Sequence, residues 1–283
     1  MTQHKNLYKK YFLKKKSSLS DWKLFSILLA ISISSLVFVK FYYGVEWKEL
    51  ASLSFYQNMA NPSIRIVKIK EGLRKEEIAE IVAKELGWNV QEQDDFINAH
   101  LALNLENLEG RYFPKTYMVH VDQNPVAVSK TMVGEFRKQA SKIKRPKASL
   151  IINEDTVLKI ASLIQREAGG KHDMRLISGI IWNRLFSGMK LQIDATLQYA
   201  KGNEKDGWWP EVLPKDKNIE SPYNTYLYNS LPPGAIANPG IAAIEAAYNP
   251  QKTTCLFYLH DKKGRIHCSK TYEEHKRNIE RYY

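Results

Sequence analysis

The first strong pattern along the chain is an apolar run without a polar face. No charged side chain occurs from Leu24 to Val39, LFSILLAISISSLVFV. The run is preceded by Trp22 and followed by Lys40 and the pair Tyr42–Tyr43. With these flanking residues included, the run is long enough to cross a hydrocarbon core about 30 Å thick, which takes about 20 helical residues. Interfacial aromatic rings and an extended lysine are typical of a membrane span. The pattern predicts a transmembrane helix over residues 24–43.

Two other interpretations fit this run less well. A cleaved signal peptide is disfavoured because the polar region before the run is long and no clear small-residue cleavage site follows it. A buried core helix is disfavoured because the run is apolar all round and follows a tail, residues 1–23, with seven lysines and one acid. Positive charge marks the cytoplasmic side of a span, so we expect a cytoplasmic tail and everything after residue 43 outside the cytoplasm.

Strand and helix patterns alternate after a linker predicted over residues 44–62. Together they predict a small α+β module of strand, helix, helix and strand, followed by a further helix. In chain order these are a strand in SIRIVKIK (63–70), a helix from Leu73 to Leu86 that Gly87 ends, a helix around Gln93 to Leu101, a strand over Thr116 to Val121, and a helix from Pro125 to about Ala140.

A basic run that contains proline, KIKRPK (142–147), is a predicted boundary, and the composition changes after it. The elements beyond it complete an α+β fold class. They are helices near Asp155 to Glu167 and Asp173 to Phe186, a loop-rich stretch from Gly188 to Asn238, a helix that Asn238 caps with Pro239 in its first turn, strands over Cys255 to Leu259 and Arg265 to Ser269, and a last helix opened by a capping box of Thr271 and Glu274.

Composition narrows the class of protein. The 283 residues are 44% hydrophobic and 25% charged, so the chain has enough apolar side chains for a core and is not disordered. Two cysteines exclude a disulfide scaffold, and no Cys/His spacing of a zinc site occurs. Half of the formal charge of +12 lies in the N-terminal tail of 23 residues, since residues 24–283 carry 35 basic against 29 acidic side chains. That distribution favours a membrane surface, and not nucleic acid, as a partner.

The helix predicted near residues 155–167 ends in a carboxylate. An apolar stripe at i, i+3, i+4 and i+7 runs from Val157 to Ile164, and Glu167 is the next position on it. A carboxyl group on an apolar face is partly desolvated, which raises its pKa toward the range that a general acid needs near neutral pH. The alternative is an ordinary ion pair of this carboxylate with Arg166, Arg175 or Arg184.

The loop-rich stretch offers side chains that suit a sugar. Amides and phenols supply the hydrogen bonds, and aromatic faces supply the stacking, that saccharides need. An interpretation as turn residues competes at each position, because Asn, Gly and Pro are common in turns. The candidates for substrate binding are Gln192, Asp194, Tyr223, Asn224, Tyr226 and Asn238.

Cys255 and Cys268 flank the turn predicted over Asp261 to Gly264. Outside the cytoplasm they can form a structural disulfide. Two separate thiols are an equal alternative, and the sequence leaves the choice open.

Several separated motifs follow the apolar run in a fixed order. They are LEGRYFPKTY (108–117), ASLIQREAG (161–169), IIWNRLFSGMKLQIDATLQYA (180–200), SPYNTYLYNSLPPGAIANPG (221–240), and, near the end, FYL with HCSKTYEEH (267–275). In these motifs the chain resembles the endolytic murein (lytic) transglycosylases of the YceG-like family, and the resemblance covers nearly everything after the run.

The resemblance implies a single-span protein of the plasma membrane, with a LysM-like module and connecting helix over residues 63–146 and a catalytic domain over residues 147–283. It implies cleavage of the β-1,4 bond between N-acetylmuramic acid and N-acetylglucosamine within nascent glycan strands, leaving 1,6-anhydro ends and terminating elongation. The implied partners are peptidoglycan strands, the plasma membrane and penicillin-binding synthases. No metal or cofactor is implied.

The family's catalytic acid is the second Glu of a Glu-Lys-Glu-Thr-like motif, which falls on Glu167, the residue that the apolar stripe selects independently. Gln165 stands where the family has the first Glu, which suggests that this position is dispensable. Lys115 stands where Asp is usual, and Gln192 to Thr196 depart from the family's QTDPT. Asp194 is the candidate to stabilise the positive charge that develops on the sugar.

Three functional hypotheses remain distinct at this stage. Lytic transglycosylation needs one acid/base residue, because the nucleophile is the substrate's own C6 hydroxyl. A hydrolysing muramidase would require a second essential carboxylate. A non-catalytic scaffold that binds peptidoglycan is disfavoured by the presence of Glu167. Asn183 and Arg184 are expected either to hold that carboxylate in place or simply to pack their helix.

Overall fold

The computed structural model describes residues 21–146 and 152–282, and of Asp21 and Trp22 it describes the backbone alone. The predicted basic tail before residue 21 lies outside the described residues, as do Lys147 at the end of the basic run and the side chain of Trp22. The chain divides into two compact units, Met1–Ala60 and Asn61–Tyr283. Helices and strands both contribute, which confirms the mixed fold class.

The described part of the first unit, residues 21–60, is helical. Its helices are α1 (Asp21–Tyr43), α2 (Trp47–Leu50) and α3 (Leu53–Ala60), so two short helices occupy the segment predicted as a linker. Within α1, Lys23–Tyr43 is long and apolar enough to cross a membrane, and its side chains are mostly exposed, unlike those of a core helix. A signal sequence near the N-terminus meets the same criterion of length and composition.

The second unit opens with the predicted order of strand, helix, helix and strand. Its first elements are β1 (Ile64–Lys68), α4 (Lys75–Leu86), α5 (Val90–Ile97), β2 (Thr116–His120) and α6 (Pro125–Ala140). The two strands pair antiparallel, with Ile64 opposite His120 and Lys68 opposite Thr116.

Local caps set the bounds of two of these helices. The Asn89 side chain accepts the N–H of Glu92 at 3.0 Å, so α5 begins at Val90, three residues before its predicted start. Asn124 caps α6 in the same way, and Pro125 occupies the first helical position. The predicted bounds of α6 are therefore confirmed.

The first core lies between the β1–β2 pair and helices α4 to α6. Tyr112, from the first of the motifs, is fully buried there. Its ring stacks on Phe96 with the ring centroids 4.7 Å apart, and its hydroxyl donates to the Phe96 carbonyl at 2.9 Å. The likeness of this region to a LysM module stays a prediction.

The second core is mainly helical, and two predictions for it were wrong. Its elements are α7 (Glu154–Glu167), α8 (Met174–Phe186), α9 (Asp194–Lys201), a 3₁₀ turn (Pro214–Asn218) and α10 (Ile241–Tyr248). Helix α9 and the turn lie in the stretch predicted as loop. Asn238 does not cap α10, because its side chain binds the N–H of Tyr112 at 2.8 Å and the carbonyl of Leu73 at 3.1 Å, and Gly240 precedes the helix instead.

A covalently closed hairpin follows the second core. Strands β3 (Phe257–His260) and β4 (Ile266–Ser269) pair antiparallel. A disulfide joins Cys255 to Cys268 across the hairpin, which decides the question left open between a disulfide and two thiols. Helix α11 (Tyr272–Tyr282) then begins with the predicted capping box.

The two cores meet along the backbone of residues 72–73 and 238–240. The N–H of Gly72 donates to the carbonyl of Asn238, and the N–H of Asn238 donates to the carbonyl of Leu73, both at 2.8 Å. Gly240 packs so closely on Glu71 that a Cβ at residue 240 would lie 2.0 Å from Glu71 Oε1. Both cores thus belong to one compact unit, and the domain boundary at residues 146 and 147 stays a prediction.

Two tryptophans strengthen this junction. In the loop after α9, the indole N–H of Trp208 donates to Glu80 and that of Trp209 donates to Glu77, both at 2.8 Å. The guanidinium of Arg166 lies 3.6 Å from the ring centroid of Trp209, a cation–π contact. Helix α4 of the first core is thereby connected to the last turn of α7.

Candidate active site

Helix α7 delivers Glu167 to the site. Asn153 caps its N-terminus by accepting the N–H of Thr156 at 2.7 Å. The apolar stripe from Val157 to Ile164 is fully buried, as predicted. The helix ends at Glu167, because Ala168 adopts an extended conformation. The carboxylate therefore stands where the buried face of the helix meets a loop.

The carboxyl group of Glu167 has polar partners on two sides. The Tyr258 hydroxyl donates to its Oε2 at 2.6 Å, and the backbone N–H of Ala195 in the first turn of α9 also donates to it. Burial is the largest influence on the pKa of Glu167 and raises it, the Tyr258 hydrogen bond lowers it, and the charge of Asp194 raises it. The net direction is upward, so Glu167 keeps its proton to a higher pH than an exposed glutamate does.

The arginines considered as ion-pair partners of Glu167 are engaged by other groups. Arg166 stacks on Trp209, Arg175 donates to the carbonyl of Asn249, and Arg184 donates to the carbonyls of Leu256 and Leu191. Asn183 donates to the carbonyls of Thr253 and Cys255, just before β3. Arg184 and Asn183 thus fix the backbone around the site and form no hydrogen bond to Glu167 among those described.

Asp194 and Tyr226 form the second part of the site. The Tyr226 hydroxyl donates to Asp194 Oδ1 at 2.5 Å, and Asp194 is exposed at the start of α9. Thr225 holds the two segments together, since its carbonyl accepts the N–H of Gln192 at 3.1 Å and its hydroxyl accepts the N–H of Ile193 at 3.0 Å. The predicted segments LQIDAT and SPYNTY therefore meet next to Glu167.

Gln192 and Asn224 occupy contrasting positions in these segments. Gln192 is exposed and has a positive φ of 51°. Asn224 is fully buried, donates to the carbonyls of Lys217 and Ile219, and accepts the N–H of Tyr226 at 2.8 Å. The Asn224 amide thus shapes the loop that presents Tyr226.

Tyr223 and Asn238 lie at a different centre, around Glu109. Asn238 Nδ2 donates to Glu109 Oε1 at 2.7 Å, and Tyr223 packs on Tyr199 with ring centroids 4.7 Å apart. The Tyr199 hydroxyl lies 3.4 Å from Glu109 Oε2. Burial above all, and the charge of Glu76, raise the pKa of Glu109 to about 8. The structure thus separates two predicted residues from the group around Glu167.

Sequence reasoning missed three side chains next to Glu167. Tyr258 and His260 alternate along β3 and so project from the same face of the strand. Asp173 is buried, accepts the N–H of Gly169 at 2.9 Å and lies 2.8 Å from His260 Nε2. The only signal in the sequence was the FYLH alternation, which fixes a common face but not its partner.

The arrangement suits proton transfer by one acid. Glu167 is partly buried with a hydroxyl donor behind it, and a second carboxylate, Asp194, is close enough to act on its pKa. Such a group can donate a proton to a leaving oxygen and then accept one as a carboxylate. Within residues 21–146 and 152–282, no cluster of three or more His, Cys, Asp and Glu is placed to hold a metal ion.

Comparison with known proteins places these features in context. The model of the YceG-like family matches residues 13–281. The endolytic murein transglycosylase of Bacillus subtilis strain 168 is 38% identical over 176 residues, which cover 62% of this chain and 48% of that protein. That of Streptococcus pneumoniae D39 is 32% identical over 174 residues, 61% of this chain and 32% of that protein. The match therefore spans about half or less of these relatives.

A solved structure is similar over most of its length. The crystal structure of a YceG-like protein from Listeria monocytogenes superposes with a TM-score of 0.67 at 25% sequence identity. The superposition covers 86% of this chain and 89% of that one.

Proposed function

Because the chain belongs to the YceG-like family, we propose that it is a peptidoglycan lytic transglycosylase. The proposed bond is the β-1,4 link between N-acetylmuramic acid and N-acetylglucosamine inside glycan strands. The observation that carries the proposal is the Glu167 carboxyl, whose pKa burial raises and to which Tyr258 donates at 2.6 Å. The activity in the names of the relatives supports the substrate class.

Glu167 acts first as acid and then as base. Its proton passes to the glycosidic oxygen as the bond from that oxygen to C1 of the muramic acid breaks, which frees the N-acetylglucosamine hydroxyl. The Glu167 carboxylate then takes the proton of the C6 hydroxyl while that oxygen bonds to C1. The product is a 1,6-anhydro ring, no water is consumed, and the acid is restored.

The neighbouring groups assist this cycle. The Tyr258 hydroxyl stabilises the carboxylate that exists between the two proton transfers. The charge of Asp194, oriented by Tyr226, stabilises the oxocarbenium-like sugar. The remaining predicted residues orient the glycan, either directly or through the loops they hold. They are Gln192, Tyr223, Asn224 and Asn238.

We also propose that α1 anchors the chain in the plasma membrane, with the N-terminus in the cytoplasm and everything after residue 43 outside. The lysine-rich tail and the length of the apolar helix support this orientation. The disulfide between Cys255 and Cys268 supports it independently, because such bonds persist mainly outside the cytoplasm. A tethered enzyme would cut nascent strands close to the penicillin-binding synthases that make them and so end their elongation.

The test uses the full chain in detergent micelles with purified peptidoglycan and mass analysis of the released sugars. We expect products one water lighter than hydrolysis products. Glu167→Gln should lose this activity by about 10²–10⁴-fold, the usual contribution of acid–base catalysis. Glu154→Gln, at the opposite end of the same helix, is the matched control and should keep it.

Other outcomes point to the rival functions. Products with reducing ends would identify a hydrolysing muramidase and would make Asp194 the second carboxylate to test. No product from the wild type, with binding to the polymer retained, would leave a peptidoglycan-binding scaffold.

A further inference from the structure

Glu109 is a buried carboxyl group that the proposed chemistry does not use. It is 3% exposed and lies in the first motif, between Leu108 and Gly110. The adjacent Gly110 has φ of 85°, and a Cβ there would come within 2.8 Å of Ala235 Cβ, so this turn is pressed against the second core. A carboxyl group in such a position must have hydrogen-bond partners to be tolerated.

Its partners come from three separate segments. Oε1 accepts the N–H of Lys75, the first residue of α4, at 3.1 Å, and the side-chain amide of Asn238 at 2.7 Å. Oε2 lies 3.2 Å from the same N–H and 3.4 Å from the Tyr199 hydroxyl. Glu109 therefore contacts the first core, the segment before α10 and helix α9 at once.

Two of these segments lead to the proposed active site. Two residues beyond Asn238, the N–H of Gly240 donates to Gln165 Oε1 at 3.0 Å, in the last turn of α7 and two residues before Glu167. Tyr199 belongs to α9, the helix that begins with Asp194. One buried side chain thus connects to both carboxylates of the site through hydrogen bonds and a helix.

We propose that Glu109 is a positioning residue, which fixes the last turn of α7 against helix α9 through Asn238 and Tyr199. The inference rests on the proposed transglycosylase function and adds a residue that touches no reacting atom. Glu109 acts as a hydrogen-bond acceptor, since Lys75, Asn238 and Tyr199 all donate to it. Burial and Glu76 raise its pKa to about 8, while Arg74 and Lys75 oppose this in part, so the acceptor role should not require a negative charge. A glutamine, which keeps the acceptor and is always neutral, should replace it.

The experiment compares kcat and KM for release of anhydro-sugars by the full chain in detergent. Glu109→Ala should lower kcat at least tenfold with KM within twofold, because the acid and its partner are misplaced while substrate contacts persist. Glu109→Gln should restore kcat to within about twofold of the wild type. Glu106→Ala is the control. Glu106 and Glu109 both line a cavity of about 430 Å³, but Glu106 is exposed.

Asn238→Ala provides a second route if Glu109→Ala does not fold, as judged by circular dichroism. It removes the bond to Glu109 together with those to Tyr112 and Leu73, and it should also lower kcat with little change in KM. In the double variant the two losses should not add fully, because both single variants remove the bond between Asn238 and Glu109. All variants are assayed at a temperature where they are folded. A loss of stability alone would not explain a kcat that falls in Glu109→Ala and is restored in Glu109→Gln under that condition.

Two results would overturn the inference while the proposed function stands. One is a folded Glu109→Ala variant, or a folded Asn238→Ala variant, whose kcat is unchanged while the wild type makes anhydro-sugars. The other is a glutamine variant as slow as the alanine variant, which would assign the role to the charge. A wild type without anhydro products would overturn the proposed function and this inference together.

Discussion

The side chain of Glu167 experiences opposing influences on its pKa. Burial and Asp194 favour the protonated acid, whereas the hydroxyl of Tyr258 and the N–H of Ala195 favour the carboxylate. A residue that must be both acid and base in one cycle needs both kinds of influence, because the raised pKa favours the proton donor and the hydrogen-bond donors stabilise the carboxylate that follows. The main donor, Tyr258, is 91 residues away in sequence.

Replacing Tyr258 by phenylalanine removes the hydroxyl and keeps the ring. Since that hydrogen bond lowers the pKa of Glu167, its loss raises the pKa further. The reaction needs protonated Glu167, so the descending alkaline limb of the pH–rate profile should move to higher pH. A hydrogen bond to a charged group contributes about 1.5–3 kcal/mol, so kcat should fall about tenfold or more.

The pH–rate profile of sugar release by Tyr258→Phe measures both effects. Tyr228→Phe serves as the control, because Tyr228 is an exposed tyrosine of the loop that carries Tyr226. An alkaline limb that stays in place or moves to lower pH would contradict this role of Tyr258.

At the scale of elements, the β3–β4 hairpin carries Tyr258 to the site and is held in two ways. Asn183 and Arg184 of α8 bind the backbone before β3, and the disulfide closes the hairpin over a separation of 13 residues. The α8 contacts fix the hairpin in place, and the disulfide limits the unfolded chain. The two devices should therefore affect different measurements.

Replacing both Cys255 and Cys268 by serine should lower the free energy of unfolding by about 2–3 kcal/mol, as expected for a loop of this size. It should leave kcat at 20 °C within about twofold, because the α8 contacts remain. Chemical denaturation with and without reductant measures the first effect. Reductant should shift the wild type and leave the double variant unchanged, and a wild type insensitive to reductant would refute the prediction.

The sequence predicted those elements whose bounds depend on local caps. Pro125 predicted the start of α6, and the capping box of Thr271 and Glu274 predicted that of α11. Asn238-Pro239 offered the same local signal, but the Asn238 side chain is recruited by Glu109 and Tyr112, 129 and 126 residues away. A tertiary contact overrode the local preference there.

The residues of the candidate site also divide into those that a local sequence pattern predicts and those whose partners only the fold brings near. The apolar periodicity of one helix predicted that Glu167 lies at the end of a buried face, because burial of the stripe is a local property, and the catalytic role of Glu167 stays a prediction. Tyr258 and Glu109 could not be found in this manner, since their partners lie on segments that only the fold brings together. Gln165, interpreted as dispensable from its departure from the family motif, accepts the N–H of Gly240 and so has a structural contact.

At the scale of the molecule, residues 61–283 hold two cores in one compact unit. The contacts between the cores include backbone hydrogen bonds at Gly72 and Asn238, and indole bonds from Trp208 and Trp209 to helix α4. Groups that are buried at this junction would lose their partners if the cores were separated.

A fragment of residues 147–283 should therefore fail to form a stable enzyme. Without the first core, Asn238 loses Glu109 and Leu73, and both tryptophans lose their carboxylate partners. We expect a broad or absent thermal transition and no sugar release, whereas residues 61–283 should melt cooperatively and remain active. Circular dichroism melting with the sugar-release assay decides the matter, and an active, cooperatively folded 147–283 fragment would count against it.

The close packing of Gly240 on Glu71 leaves the junction tolerant of a small change. The atoms nearest to a methyl group at residue 240 would all belong to the carboxyl end of Glu71, an exposed and flexible side chain that can rotate away. The backbone hydrogen bonds that join Gly72 and Leu73 to Asn238 do not involve the side chain of residue 240. An alanine there would therefore require a new rotamer of one surface acid and would leave the two cores in place, so the seam between them can accept a substitution without coming apart.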